Sequence, residues 1–378
     1  MDDVYQRSLD FHKKYQGKLS ISSKVPLKDK DTLSLAYTPG VAEVCRLIAK
    51  DKAAAKTHTI KANTIAVISD GSAILGLGNL GPEAALPVME GKCALFKEFA
   101  GVDAFPICLA TQDTEEIIKA IKQISPVFGG INLEDISAPR CFEIEDRLKK
   151  ELDIPVFHDD QHGTATVVLA ALINALKLAE LSKEEARLVI NGAGAAGDAI
   201  TRLLLIYGFK DIVVVDSQGI INKKRENLNA PKLEIANLTN PRDLSGSLSE
   251  ALVGADIFIG VSAPEVLNEE MIKNMNSKAI IFALANPVPE IMPELAKSAG
   301  AFIVATGRSD YPNQINNVLA FPGIFRGALD NKVTNISNEM LVNAAINLAG
   351  LVDNLSTEEI LPNPFDERIV KAVAAAIK

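Results

Sequence analysis

The feature that most constrains this fold is an apolar run that leads directly into a glycine-rich turn. Leu188-Val189-Ile190-Asn191 has the composition of a buried strand, and the spacing Gly-x-Gly-x-x-Gly follows before a helical segment. In such a turn the first glycine permits a tight bend, the second admits a pyrophosphate close to the backbone, and the third lets helix and strand pack. The helix N-terminus adds amide donors for phosphate. The motif therefore predicts a dinucleotide site at Gly192, Ala193, Gly194, Ala195, Ala196 and Gly197.

A second strand-like run, residues 212–215, ends at Asp216, nineteen residues after Gly197. An acid at about this distance binds the ribose hydroxyls in dinucleotide sites. It favours NAD, because it would repel the 2′-phosphate of NADP. Residues 223–225 (KKR) follow shortly and are candidates to bind that phosphate, or they form a solvated loop. Both NAD and NADP therefore stay open, as does the alternative of an Ala/Gly-rich turn followed by a coincidental acid.

Strands and helices alternate along most of the chain. Strands are predicted at 64–68, 102–109, 130–133 and 155–157, and a second series begins at 187 after a long apolar helix at 163–180. Such alternation is typical of mainly parallel sheets, and a length of 378 residues suggests two domains or three small ones. We predict an α/β protein. Residues 1–162 form an N-terminal α/β domain with a mainly parallel sheet, and residues 163–378 form a Rossmann-type dinucleotide-binding domain.

Charge and composition exclude several classes of protein. The formal net charge is −9 and no basic face is visible, which argues against binding to nucleic acid or to anionic membranes. The four cysteines form no Cys-x-x-Cys pair, so zinc-ribbon and thioredoxin-like sites are unsupported. The N-terminal segment is charged and no uninterrupted apolar run reaches about 18 residues. We expect a cytoplasmic protein with reduced thiols.

Two acidic motifs each follow a predicted strand, Asn132-Leu133-Glu134-Asp135 and residues 157–163 (FHDDQHG). Strand ends in α/β folds face the ligand crevice, and carboxylates gathered there repel one another unless a cation neutralises them. Oxygen ligands suit Mg²⁺ or Mn²⁺. The alternative is that these acids cap helices. The two neighbouring histidines suggest zinc only weakly, because neither cysteines nor a His-Glu-x-x-His motif accompany them.

Seven segments together resemble the malic enzyme family, in its short bacterial and archaeal form. They occur in the family's order across nearly the whole chain: 36–41 (AYTPGV), 70–81 (DGSAILGLGNLG), 87–92 (PVMEGK), 132–135 (NLED), 157–165 (FHDDQHGTA), 285–287 (ANP) and 316–323 (NNVLAFPG). No segment is specific alone, but the combination is.

The resemblance implies oxidative decarboxylation of L-malate to pyruvate and CO₂ with reduction of NAD(P)⁺. It implies that a divalent cation is held by Glu134, Asp135 and Asp160. Lys92 would take the proton of the C2 hydroxyl, Tyr37 would protonate C3 of enolpyruvate, and Asp159 would be a catalytic neighbour of the cation without binding it. Asn286 and Asn317 would contact both the substrate and the nicotinamide ribose.

One departure concerns the substrate carboxylate. Longer malic enzymes carry an arginine two residues after the Asp-Gly pair, and this chain has Ala73 there. The contact would come instead from Ser72, from backbone amides or from a partner subunit, because the resemblance also implies a homodimer. Alternatives within the family are an oxaloacetate decarboxylase and a malolactic enzyme. A remote alternative is a nucleotide-binding sensor without catalysis.

Overall fold

The computed structural model describes residues 2–226 and 228–378. The chain begins with helices that lie outside both sheets: α1 (Asp2–Tyr15), α2 (Lys30–Ala36), α3 (Val41–Lys50) and α4 (Ala55–His58). Neither α2 nor α3 contains a buried residue. This N-terminal arm lies along the first sheet, where Lys24 pairs with Asp103 at 3.0 Å and Lys18 donates to the carbonyl oxygen of Pro87.

The first sheet has four parallel strands in the order β2-β1-β3-β4. They are β1 (Thr64–Ser69), β2 (Asp103–Cys108), β3 (Gly130–Leu133) and β4 (Val156–His158). The helices between them are α5 (Pro82–Ala100), α6 (Thr114–Ile124) and α7 (Arg140–Glu151). In α6 the isoleucines Ile117, Ile118 and Ile121 are buried while charged residues remain exposed, as the 3.6-residue period requires.

The second sheet has six strands in the order β10-β9-β8-β5-β6-β7, and β7 is the only antiparallel strand of this sheet among the described residues. The order reverses between β5 and β8, the point at which dinucleotides bind in this type of sheet. The strands are β5 (Arg187–Asn191), β6 (Asp211–Asp216), β7 (Gly219–Ile220), β8 (Ile257–Gly260), β9 (Ile280–Ala283) and β10 (Ile303–Thr306).

The helices of this part begin with α8, which is buried along nearly its whole length. In chain order they are α8 (Thr164–Ala179), α9 (Ala195–Tyr207), α10 (Ala230–Leu238), α11 (Leu248–Leu252), α12 (Glu269–Lys273), α13 (Pro293–Ser298), α14 (Phe321–Asp330), α15 (Asn338–Ala349) and α16 (Arg368–Ala374). One apolar cluster runs from β1 through α8 to β5. Phe321 and Phe325 of α14 pack on Phe96 of α5, so the last helices return to the first sheet.

The predicted fold class is confirmed, with two differences in detail. The helix predicted at 163–180 is preceded by a wider π-helical turn, Asp159–Gly163, and the short strand β7 was not predicted. By length and composition alone residues 159–179 are apolar enough to cross a membrane. Most of this segment is buried inside the protein, so it is a core helix.

Candidate active site

The π-helical turn Asp159–Gly163 presents the second acidic motif at the end of β4. It forms because the amide of Thr164 bonds back to the carbonyl oxygen of Asp159, one residue further than in an α-helix. A side chain at Gly163 cannot be accommodated, since its Cβ would lie 1.8 Å from Oδ1 of Asp159. The glycine in this motif therefore lets the Asp159 carboxylate fold over the turn.

Lys92 projects from the middle of α5 into the acidic cluster. Its ammonium lies 2.5 Å from Oδ2 of Asp159 and 2.8 Å from Oε1 of Glu134, and its side chain is only 7% exposed. The ring of Phe321 covers it at 4.2 Å. Burial alone would lower the pKa of Lys92, but the two carboxylates outweigh that effect and raise it. The structure thus excludes a surface position for Lys92.

Four acids meet at this point, and their environment favours a bound cation. Burial raises the pKa values of Glu134, Asp159 and Asp160, and raises that of Asp135 to about 8; repulsion from neighbouring acids adds to this effect at Glu134, Asp135 and Asp159. Oδ2 of Asp135 and Oδ1 of Asp159 are buried without a hydrogen-bond partner. Uncompensated buried carboxylate oxygens are suitable ligands for Mg²⁺ or Mn²⁺.

The chemistry of the donors thus fits such an ion. A complete ligand set would need at least three acidic, histidine or cysteine side chains at metal-binding distances from one point. Within residues 2–226 and 228–378 the structure shows no such group. Lys92 binds the facing oxygens of Glu134 and Asp159, while Oδ2 of Asp160, whose side chain is 34% exposed, accepts from the amide of Asp135.

The helix-capping alternative for these acids does not hold. Helices α7 and α8 begin after Pro139 and Gly163, and neither has a side-chain cap. The two histidines also do not have the surroundings of zinc ligands. His162 donates from Nε2 to Glu145 at 2.8 Å, and both ring nitrogens of His158 are buried without a hydrogen-bond partner. Burial lowers the pKa of His158 to about 4.

Ser72 lies at the edge of the cluster with both functions of its hydroxyl in use. Its Oγ donates to Asp70 at 2.5 Å and accepts from the amide of Ser137 at 2.9 Å. Arg140, which the sequence did not single out, donates to the other oxygen of Asp70 at 2.7 Å. The backbone amide of Ala73 bonds to the carbonyl oxygen of Asp135, so the loop after β1 is docked on the loop after β3.

Tyr37 is not brought to Lys92 within the chain. It ends α2 on the N-terminal arm and is 69% exposed, and among the described residues its hydroxyl has no hydrogen-bond partner. Large apolar side chains along the same arm are also exposed, namely Leu19, Ile21, Val25, Leu27, Leu33 and Leu35. So many exposed apolar side chains on one arm are typical of an interaction site.

The glycine turn at the end of β5 adopts the geometry that its spacing predicts. Gly192 has φ of 123°, and a Cβ there would lie 2.6 Å from the carbonyl oxygen of Val261 on the neighbouring strand end. Helix α9 begins after Gly194 and packs against the π-helical turn. A cavity of about 940 Å³ opens beside the turn, lined by Gly192, Ala193, Gly194 and Asp216.

Asp216 at the end of β6 is held by two cations. Arg225 binds both carboxylate oxygens, at 2.9 and 3.0 Å, and Lys232 donates to Oδ2 at 2.7 Å. Burial would raise the pKa of Asp216, but these donors lower it to about 2. Lys223 and Lys224 are exposed, and Lys224 pairs with Asp243. Only Arg225 of the basic run thus lines the cavity.

Asn286 and Asn317 lie where the two halves of the chain meet. The carbonyl oxygen of Asn286 approaches the backbone of Gly76, where a Cβ would lie 2.5 Å away. Asn317 lies against Gly163 of the π-helical turn, with 3.4 Å between its Cβ and a Cβ built at that glycine. Both residues therefore adjoin segments of the first half of the chain, while the side-chain amide of Asn286 lies against Gly307 of the second half.

Two family descriptions match this chain in the order in which its two sheets occur. "Malic enzyme, N-terminal domain" matches residues 16–149, and "Malic enzyme, NAD binding domain" matches residues 161–377. The chain belongs to the malic enzyme family. The predicted family and the NAD(P)-dependent, decarboxylating oxidoreductase class are confirmed.

Individual relatives of this malic enzyme agree. The NAD-dependent malic enzyme of Geobacillus stearothermophilus is 58% identical over 96% of this chain and 76% of its own length. The bifunctional malic/malolactic enzyme of Bacillus subtilis is 56% identical over 98% of this chain and 92% of its own length. The crystal structure of the NAD-dependent malic enzyme from Thermotoga maritima superposes with a TM-score of 0.94 at 54% identity, covering 98% of both chains.

Two buried acids of this malic enzyme were missed from the sequence. Glu290 accepts from the amides of Ser262 and Ala285, which places it behind the loop that carries Asn286. Glu145 accepts from His158 and His162 around the π-helical turn. A signal for Glu145 was present, since it lies between the apolar positions Ile144 and Leu148 on the buried face of α7.

Substitution of Gly197, the last glycine of the turn, tests how α9 packs. A Cβ at Gly197 would lie 1.8 Å from the carbonyl oxygen of Gly192, whereas one at Gly194 would have no neighbour within 4 Å. We expect Gly197→Ala to lower the free energy of unfolding by about 1–3 kcal/mol. Gly194→Ala should leave it within about 0.5 kcal/mol but raise KM for the dinucleotide, because the second glycine admits the pyrophosphate. Urea unfolding and initial rates measure both effects, and equal unfolding of the two variants would contradict this packing.

Proposed function

We propose that this chain converts L-malate to pyruvate and CO₂ while reducing NAD(P)⁺, with Mg²⁺ or Mn²⁺ held by Glu134, Asp135 and Asp160. The observation that supports these residues is the buried contact of Lys92 with Asp159 and Glu134, next to the other two acids. Helix α9, which starts at the dinucleotide turn, packs on the same π-helical turn, which supports the proposal that the cofactor binds beside the acids.

The chemistry divides between the bound groups and the chain. A cation held by Glu134, Asp135 and Asp160 would supply Lewis-acid polarisation of the substrate oxygens, and a dinucleotide at the glycine turn would supply the hydride acceptor. Lys92 takes the proton of the C2 hydroxyl, which requires the neutral amine. Its carboxylate partners hold the amine in place. Neutralisation of those partners by a cation would weaken their effect on the pKa of Lys92.

Decarboxylation leaves an enol that needs a proton at C3, and Tyr37 is the proposed acid. We propose that it acts in the site of a second copy of this chain, in a homodimer. Within its own chain Tyr37 is exposed on an arm whose helices α2 and α3 bury no residue. Docking of that arm on a partner would cover its apolar side chains and carry the hydroxyl to the partner's Lys92.

Mixing two inactive variants tests whether Tyr37 acts in the site of the partner subunit. Tyr37→Phe and Lys92→Ala homodimers should each be nearly inactive, because each lacks one proton-transfer group in both sites. After exchange of subunits a hybrid has one site free of both substitutions, so an equimolar mixture should recover about a quarter of wild-type activity. Sedimentation analysis should show a dimer. Hybrids that recover no activity would place Tyr37 and Lys92 of one site on the same chain.

Asn286 and Asn317 would bind substrate and nicotinamide ribose, and their place between the two halves supports this role. For the malate carboxylate we keep Ser72, whose hydroxyl would exchange its bond to Asp70 for one to the substrate, or a group of the partner subunit, because the amide of Ala73 is already bonded to Asp135. We also propose the boundary between residues 1–162 and 163–378, which falls within the turn that precedes the buried helix α8. A cytoplasmic location, without nucleic-acid or membrane partners, is consistent with the net charge of −9.

The cofactor preference follows from Asp216. Since Arg225 and Lys232 neutralise its carboxylate, the repulsion that an acid would exert on a 2′-phosphate is reduced. We propose that the site accepts both NAD⁺ and NADP⁺. A malolactic activity is the second candidate, because the Bacillus subtilis relative is described as a bifunctional malic/malolactic enzyme.

The deciding experiment is steady-state malate oxidation with NAD⁺ and NADP⁺ side by side, each with Mn²⁺ and after chelation. We expect one NAD(P)H per CO₂ and loss of activity on chelation. Release of CO₂ without net NAD(P)H would favour a malolactic or oxaloacetate-decarboxylating enzyme. Absence of any Mn²⁺-dependent turnover would favour the nucleotide-binding sensor.

A further inference from the structure

Glu145 is a charged residue in an apolar surface. It lies on the buried face of α7 together with Cys141, Ile144 and Leu148, and its side chain is only 4% exposed. A carboxylate in such a place is destabilising unless it is paired and hydrogen-bonded. Its contacts should therefore explain why α7 carries an acid there.

The contacts of Glu145 converge on the two ends of the π-helical turn. Oε1 accepts from the backbone amide of His158 at 2.9 Å and from the ammonium of Lys149 at 2.8 Å, and Oε2 accepts from Nε2 of His162 at 2.8 Å. His158 immediately precedes Asp159 and Asp160, and His162 follows two residues after them. One carboxylate thus fastens both flanks of the segment that carries these two acids.

The side chains of the two acids provide further ties of this segment. Lys92 binds Asp159, and the amide of Asp135 binds Asp160, a contact that must rearrange when a cation binds the same oxygen of Asp160. The bonds of Glu145 involve a backbone amide and a ring, and among the described residues Glu145 has no hydrogen bond to Lys92, Asp159 or Asp160. It can therefore hold the backbone of the turn while Asp160 exchanges partners.

We propose that Glu145 is a positioning residue, which clamps the turn 158–163 from α7 and so presets Asp160 for the divalent cation and Asp159 for Lys92. This inference rests on the proposed function, in which Asp160 is a ligand. Loss of such a supporting partner weakens metal binding by about 10- to 100-fold. Displacement of a reacting group by about 1 Å lowers the rate by as much as about 100-fold.

The test compares Glu145→Gln and Glu145→Ala with Glu143→Ala. Glu143 is on the same helix but exposed, and among the described residues its one ion pair is with Arg147. Mn²⁺ binding is measured directly by electron paramagnetic resonance without substrate, alongside kcat, KM for malate and the melting temperature. We expect Glu145→Ala to bind Mn²⁺ about 10- to 100-fold more weakly than wild type. Its kcat should fall, while Glu143→Ala behaves as wild type.

Glu145→Gln keeps the shape and one acceptor oxygen, so it covers the case in which the alanine variant does not fold. Its melting temperature should lie within a few degrees of wild type, and its KM for malate should be close to wild type. It should bind Mn²⁺ more tightly than Glu145→Ala but more weakly than wild type. In the double variant Glu145→Gln with His162→Gln, the loss of Mn²⁺ affinity should be smaller than the sum of the losses in the two single variants. Both substitutions remove the same bond.

The outcomes separate this inference from the function on which it rests. If wild type binds Mn²⁺ and oxidises malate while Glu145→Gln has wild-type Mn²⁺ affinity and kcat, Glu145 is not a clamp. Additive losses in the double variant would also overturn it. If wild type shows no Mn²⁺-dependent malate oxidation, the proposed function falls first and the inference falls with it.

Discussion

Asp160→Asn is expected to lower kcat for malate oxidation by about 10³-fold, which corresponds to about 4 kcal/mol of lost transition-state stabilisation. Asp160 is the most exposed of the three proposed ligands, and it lies with Glu134 and Asp135 at the ends of β3 and β4. An amide has almost the same shape but no charge. The loss should therefore arise from weaker attraction for the cation, not from altered packing.

The measurement is kcat at rising Mn²⁺ concentration together with direct Mn²⁺ binding. Apparent Mn²⁺ affinity should fall in parallel with the rate, while the melting temperature stays the same or rises, because one of four repelling acids has been neutralised. The matched control is Asp146→Asn, which removes the same charge from an exposed position on α7. Full activity of Asp160→Asn at limiting Mn²⁺ would contradict its assignment as a ligand.

Lys92→Ala is expected to lower kcat by about 10³-fold as well, the effect of removing a general base. Its signature differs from that of Asp160→Asn. The ammonium of Lys92 competes with a cation for Glu134 and repels it, so Mn²⁺ affinity should stay the same or increase. The two variants thus separate proton transfer from metal binding within one cluster.

Lys97→Ala is the matched control, because Lys97 lies on the same helix and is exposed, where it pairs with Asp103. It should retain wild-type kcat. Partial recovery of Lys92→Ala by added small primary amines would support a base role. Loss of Mn²⁺ affinity in Lys92→Ala equal to that in Asp160→Asn would show that Lys92 acts on the metal site and not on the substrate proton.

Much of the cluster followed from a local rule about strand ends. Glu134 and Asp160 each follow a strand of one parallel sheet, and carboxyl ends of parallel strands lie at one edge. What that rule does not contain is the partner of each acid. Lys92 is 67 residues from Asp159, and its position depends on how α5 packs over β1 and β2.

Burial and exposure explain the remaining differences between the predictions from sequence and the structure. The mid-helix position of Lys92 was compatible with a surface residue, and only the cover of Phe321 from the far end of the chain makes it a buried ammonium. Asp216 was predicted from its distance after the glycine turn. No such rule predicts that Arg225, from a loop, and Lys232, from a helix, neutralise it. For Glu145, its apolar neighbours on α7 indicate burial, but no local rule predicts its bonds to the π-helical turn.

The sequence by itself determined the alternation of strands and helices, the dinucleotide turn, the acidic motifs and the family, because each depends on residues near one another in the chain or on motifs in a set order. Only the tertiary structure decided which charges meet. The bonds of Lys92 to Asp159, of Arg225 to Asp216 and of Glu145 to the π-helical turn arise where separate elements pack. Such contacts depend on burial and distance in three dimensions, which local spacing does not encode.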